Sequence, residues 1–378
     1  MQYLPNIIFA IVLIAGIGFF VKNIRKLIRN IKLGKSVDRS DHKSARWKNM
    51  AKIALGQYKM VRRPVSGILH VAVYLGFVII NIEVLEIIID GLFGTHRVFQ
   101  PILGDTFYGF LIATFEVLAA IVFAAVTIFW IRRNIIRVKR FWNKEMTSWP
   151  KNDGNIILYF EMVLMTLFIV MNASDITFQE AGIGNTISQF IAPLFNGFSV
   201  ETLHVIEQSA WWIHIIGILV FLNYLYYSKH LHILLAFPNT FYANLNPKGQ
   251  FNNLESVTKE VQLMMDPSAD PYAAPAEGAE EEVPEKFGAS DVTDLNWVQL
   301  MNSYTCTECG RCTSACPANL TGKELSPRAI MMKTRDRMEE VGKNIDANGG
   351  EFKDDGKQLL NDYISPEELW ACTSCNAC

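Results

Sequence analysis

The stretch Cys306-Thr-Glu-Cys309-Gly-Arg-Cys312-Thr-Ser-Ala-Cys316-Pro317 has the spacing C-x2-C-x2-C-x3-C-P. That spacing holds iron–sulfur clusters: three thiolates wrap one face of a cubane, and the fourth, ahead of the proline, serves the other cluster of a pair. A second run, Cys372-Thr-Ser-Cys375-Asn-Ala-Cys378, lies 55 residues further on, and all seven cysteines of the chain belong to these two runs. Zinc also binds C-x2-C, but its sites seldom use three cysteines in tandem before Cys-Pro, so the pattern points to two [4Fe–4S] clusters. Disulfides are disfavoured because the topology derived below places the runs on the reducing, cytoplasmic side.

Upstream the composition changes. Half of the 378 residues are hydrophobic and the mean hydropathy is +0.17, with nearly all of the excess before residue ~240. Five apolar stretches, at residues 4–21, 65–89, 107–131, 156–171 and 205–237, approach or exceed the ~20 residues needed to span a bilayer. The first has no basic residues ahead of it and no small-residue cleavage site, so it reads as a retained span rather than a signal peptide. Residues 22–63 hold fourteen Lys and Arg, and residues 132–151 hold seven; the alternate loops hold Arg97 alone and none. This asymmetry predicts a multi-pass membrane protein, amino terminus outside and C-terminal part in the cytoplasm. The net charge of −2 gives no sign of nucleic-acid binding.

The expected organisation is a membrane domain over 1–240, a linker over 241–290 and a cysteine domain over 291–378. The linker is rich in Pro, Ala and Glu and too poor in large apolar residues to pack a core; its amphipathic start near 254–265 suits a membrane or partner surface. Short helices are expected at 291–303, at 326–341 behind Pro327, and at 366–370, with no strand alternation. The fold class is therefore all-α: a five-helix transmembrane bundle followed by a helical two-cluster domain. No internal repeat is evident.

Histidines within apolar spans are functional candidates, because an ionisable group there is costly. His70 lies near the cytoplasmic start of the second span, and His214 and His232 near opposite ends of the fifth. On one continuous helix the 18 residues between the latter two are five full turns, which points both rings the same way at depths about 27 Å apart. His70 and His232 then reach similar depth and suit one b-type haem, which takes an imidazole from each of two facing helices. For His214 the candidate partners are His204, on or near the same helix, and His96, in an outer polar loop; His42 reads as a surface residue. Four carboxylates also sit at membrane depth: Glu83, Glu86, Glu116 and Glu161. Proton exchange with a quinone and pairing inside the bundle remain equal readings of them.

Span five, with Ile213-His214-Ile-Ile-Gly217 and Tyr227-Ser-Lys-His-Leu-His232 through Phe237-Pro238, resembles the last helix of the cytochrome b subunit of respiratory nitrate reductases. That resemblance implies five spans, an outer amino terminus and two stacked b haems. His70 matches the inner histidine of the family's second span, whereas the outer position falls on Ile80. The segment from Tyr304 through Asn319, with Leu325-Ser-Pro-Arg328, resembles the two-cluster subunit of heterodisulfide reductases. Together they resemble bacterial membrane-bound iron–sulfur oxidoreductases, some of which link electron-transferring flavoprotein or organic-acid oxidation to menaquinone, and the resemblance implies the bacterial cytoplasmic (inner) membrane. The CCG modules of that group are missing from this sequence, which implies either a chain that has lost a C-terminal portion or one carrying electrons for a soluble cytoplasmic partner, a CCG-domain protein or an electron-transferring flavoprotein. A disulfide-reducing enzyme in its own right and a zinc-bound membrane adaptor are the alternatives. In the crossed cluster arrangement Cys316 completes the ligand set of Cys372, Cys375 and Cys378. Cys306, Cys309 and Cys312 then need a further Cys-Pro, so the native protein is expected to continue past Cys378.

Overall fold

A computed structural model describes residues 3–247, 249–250, 253–268, 286–376 and 378. The Pro/Ala/Glu-rich part of the expected linker at residues 269–285 lies outside these described residues. Among them the protein is helical, with two isolated β-bridges and no strand. The chain divides into two compact units, one of Met1–Leu27 with Trp47–Thr240 and one of Ile28–Arg46 with Phe241–Cys378.

The first unit holds α1 (Leu4–Ile31, whose last turn belongs to the second unit), α2 (Pro64–Phe93), α3 (Asp105–Asn134), α4 (Ser148–Ser174), α5 (Ile176–Ala181), α6 (Val200–Tyr224) and α7 (His232–Phe241). Helices α1 to α4, and α6 with the turn that extends it to Tyr227, are long and apolar enough to cross a membrane. Pro64 opens α2 at its first turn, where its missing N–H costs nothing, and Gly94 closes it in the left-handed region at φ 71°. Helix α3 packs on α2 and α4, and α4 packs on α6. Small residues permit the close approaches: a Cβ on Gly76 would stand 2.3 Å from Val122, and one on Gly217 would stand 2.9 Å from Leu164. Outward-facing Ile11, Ile14, Ile68, Phe107 and Phe110 stay exposed. An apolar exterior of this kind is stable against hydrocarbon and unstable against water.

The fifth span is broken. After Tyr224 the chain tightens into two short 3-10 turns, Leu225–Tyr227 and Lys229–Leu231, before α7 begins at His232. The continuous helix over 205–237 is therefore corrected, and the five-turn phasing of His214 with His232 falls with it. Ser228 makes the break by leaving the helical region (φ −112°, ψ 149°) and accepting a hydrogen bond from His230 N–H at 2.9 Å.

The second unit contains α8 (Glu255–Met265), α9 (Trp297–Thr305), α10 (Pro327–Ala347) and α11 (Pro366–Trp370). Each of the last three has a side-chain cap: Asn296 with Gln299, Ser326 on Ala329 N–H, and Ser365 with Glu368. None of the residues of α8 is buried. The basic stretch 28–46, expected as a cytoplasmic loop, is built into this unit. Lys35 pairs with Asn296 as an isolated bridge, Trp297 Nε1 donates to Val37 O at 3.0 Å, and Asn30 donates to Tyr304 at 2.9 Å. Arg46 is buried and donates to Phe241 O and Ala243 O at 3.1 and 3.0 Å.

Candidate redox sites

In the first unit the rings of His70 and His232 stand 6.3 Å apart, centroid to centroid. Two imidazoles on opposite sides of one metal have centroids about 6 Å apart, from about 2 Å per metal–nitrogen bond plus the radius of each ring. His232 Nδ1 lies 3.0 Å from Lys229 O. A backbone carbonyl at that nitrogen fixes the tautomer that carries the proton on Nδ1 and leaves Nε2 with its lone pair free for iron. The two residues thus fit a bis-imidazole haem.

Asp153 holds the break that places His232. Its carboxylate accepts from Tyr224 OH at 2.6 Å and from Lys229 N–H at 3.0 Å, and it pairs with Lys229 Nζ at 3.7 Å. Lys229 Nζ also donates to Pro150 O at 2.6 Å. The start of α4 is thereby clamped to the turn that carries the histidine. The sequence reading missed Asp153, which lies 79 positions before His232 in an otherwise ordinary helix start.

His214 is buried on α6, with the ring of Phe168 6.2 Å away. Ile80, where the resemblance implies a second histidine, lies in the apolar core with Tyr108, Ile112 and Phe168. The two alternative partners go elsewhere: His204 Nδ1 lies 3.2 Å from Glu207 Oε2, and His96 Nε2 lies 3.7 Å from Glu207 Oε1 and 3.4 Å from Asp175 Oδ2. Both gather at Glu207, two turns before His214, so the structure brings no second ligand to it among the described residues.

In the second unit the two cysteine runs share one backbone form. Glu308 and Gly310, either side of Cys309, have φ of 53° and 70°; Ser374 and Asn376, either side of Cys375, have φ of 50° and 56°. The second run repeats the first at an offset of 66 residues, a local repeat that the side chains hide. Left-handed residues between right-handed ones turn successive N–H groups into a concave nest, a form common around iron–sulfur clusters. All seven thiols are free of disulfides. Cys316 is buried with Ala318 and Leu325, against Ile330 and Ala371, the neighbour of Cys372. This packing suits the crossed ligand set. Arg311 Nε donates to Cys309 Sγ at 3.3 Å. Burial pushes the Cys306 thiol up to about 11, so metal binding rather than neutral pH must remove its proton.

A buried ionic frame supports the first run. Glu308 pairs with Arg335 at 2.8 Å, and buried Arg328 donates to Glu308 O at 3.3 Å. The Thr313 hydroxyl meets Ser326 Oγ at 3.0 Å, joining the loop to the cap of α10.

Residues 305–378 match the family model of the 4Fe-4S dicluster domain. The chain is 27% identical to the "Probable iron-sulfur-binding oxidoreductase FadF" of Bacillus subtilis, over 98% of this chain and 52% of that protein. It is 23% identical to the "EtfAB:quinone oxidoreductase" of Syntrophomonas wolfei, over 86% of this chain and 44% of that one. A "Probable membrane-anchored ferredoxin" of Chromohalobacter salexigens is 29% identical over 24% of this chain and 16% of its own length. The chain thus spans about half the length of its first two relatives. No solved structure matches it.

Proposed function

We propose that this chain is a membrane electron carrier. It passes electrons between a soluble cytoplasmic redox partner and a menaquinone pool through two [4Fe–4S] clusters and a b-type haem on His70 and His232. The observation that carries the reading is the imidazole pair at 6.3 Å in a bundle of membrane-length helices, in one chain with a dicluster-type segment. The names of the relatives support the direction of the argument: one is an iron–sulfur-binding oxidoreductase, another connects EtfAB to quinone. An electron-transferring flavoprotein is accordingly the partner we favour.

Within the chain the residues do three things. Cys306, Cys309, Cys312 and Cys316, with Cys372, Cys375 and Cys378, supply the thiolates. His70 and His232 supply neutral imidazole. Asp153 and Lys229 hold the turn that aims one of those rings. When bound, the haem and clusters supply one-electron redox steps.

Purified full-length chain tests the reading directly. It should be brown, show a Soret band, and be reoxidised by a short-chain naphthoquinone after reduction with dithionite. A colourless protein containing zinc would overturn it in favour of an adaptor.

A further inference from the structure

At the end of the first unit away from His70 lies a cavity of about 250 Å³, between α1, α2, the loop 94–97, Asp175 and α6. One wall is aromatic: Phe9 lies 5.4 Å from Trp211 and 5.8 Å from Trp212, ring to ring. The other is ionisable, and here the structure separates the membrane carboxylates. Glu86 uses both oxygens, accepting from Phe99 N–H at 2.8 Å and Tyr108 OH at 3.1 Å. Glu116 accepts from Asn172, Ile187 N–H and Ser188 N–H at 3.0, 2.7 and 3.0 Å. Glu83 differs. It is 3% exposed, lines the cavity, and its Oε2 has no hydrogen-bond partner among the described residues. A buried carboxyl oxygen left unpartnered is costly unless a ligand completes it.

Resting on the quinone reading above, we propose that this cavity binds the head-group ring of a quinone or hydroquinone, and that Glu83 exchanges a proton with one of its oxygens. The volume is below the roughly 300–1,000 Å³ of drug-sized sites and suits a one- or two-ring head group with its tail outside. Aromatic walls favour a flat ring, in offset or edge-on contact. A divalent cation is the rival occupant, since His96, Asp175 and Glu207 offer ligand atoms within 4.8 Å of one another. The charges oppose it. Arg97 already lies 3.0 Å from Asp175 Oδ2, and His96, held by Asp175 and Glu207, is pushed up to about 9 and is cationic at neutral pH. Two cations thus face two carboxylates without a metal.

In the reducing direction both ring carbonyls become hydroxyls. Two electrons come from the haem and clusters of the proposed chain, one proton leaves the Glu83 carboxyl, and the second enters from solvent past half-exposed His96. Oxidation of a hydroquinone reverses each transfer.

Photolabelling of membranes containing the full chain with an azido short-chain naphthoquinone tests the site. Label on residues 83–97 or 207–212 is expected. Glu83→Gln should slow quinone reduction at least about 100-fold, the lower range for loss of a positioned acid–base group, with an unchanged haem spectrum. Glu161→Gln, a buried acid outside the cavity, should behave as wild type. Label elsewhere, or wild-type rates in Glu83→Gln, overturns this site and leaves the quinone reading standing. A wild-type protein that neither takes label nor exchanges electrons with the quinone overturns both. If Glu83→Gln fails to assemble haem, the wild-type labelling map decides alone.

Discussion

His70 and His232 contribute one ring each to a close pair, so loss of either would remove half of the proposed haem site. His70→Ala and His232→Ala should each abolish the haem spectrum, whereas His42→Ala, at an exposed site, should leave it unchanged. A full haem complement in both alanine variants would sink the assignment. Asp153→Ala acts one step further out. It releases Tyr224 and Lys229, and should weaken haem retention about 10–100-fold, as loss of an outer-shell partner does, measured by haem transfer to an apo-acceptor. At the far end of the bundle His96 and Asp175 make stability pH-dependent. His96 is pushed up to about 9 by Asp175 and Glu207, so its contribution is complete below about 6.5 and lost as pH rises through about 9. For Asp175, burial opposes the charge, but His96, Arg97 and Phe178 N–H outweigh it and hold the group at about 2, so its contribution vanishes only in strong acid. Melting temperature in detergent should therefore fall between about pH 6.5 and about pH 9 and level off above that, and His96→Ala should flatten the fall.

Among the elements, α10 is fixed by Arg337. Its buried guanidinium reaches Asp291 Oδ2 at 2.8 Å, Asp355 Oδ2 at 2.6 Å and Lys357 O at 2.6 Å, tying the segment ahead of α9 to the segment ahead of the second cysteine run. Arg337→Ala leaves two carboxylates unmatched and should cost about 3–5 kcal/mol, read as loss of cluster absorbance at lower urea. Element by element, the sequence was uneven to read. Cysteine spacing is legible because a cluster demands its thiolates at short, fixed intervals along the chain. The capped helix behind Pro327 is legible because Ser326 and Pro327 act locally. The break after Tyr224 was not: Ser228-Lys-His has neither proline nor glycine, and its anchor, Asp153, is far away in sequence. The paired left-handed residues were equally hidden, since three of the four, Glu308, Ser374 and Asn376, are not glycine.

For the whole molecule, the five apolar helices and the helical C-terminal region follow from hydropathy and composition. Orientation rests on charge alone. A reporter fused after Phe237 should read cytoplasmic and one within 176–200 external; identical readings would break the pairing of His70 with His232 by topology. What charge counting concealed is the place of residues 28–46. Their lysines and arginines satisfy the positive-inside pattern, and the same segment also packs as a structural part of the second unit.

That packing imposes an order on biosynthesis. Residues 28–46 leave the ribosome early, whereas their partners, from Phe241 onward, come about 195 residues later. At about 5–20 residues per second the gap is roughly 10–40 s. Throughout that interval Trp297 and Tyr304 do not yet exist, so the backbone carbonyls and amides around Lys35 and Val37 must wait for their partners. The second unit is thereby completed only after the last membrane-length helix, around a segment translated before most of those helices.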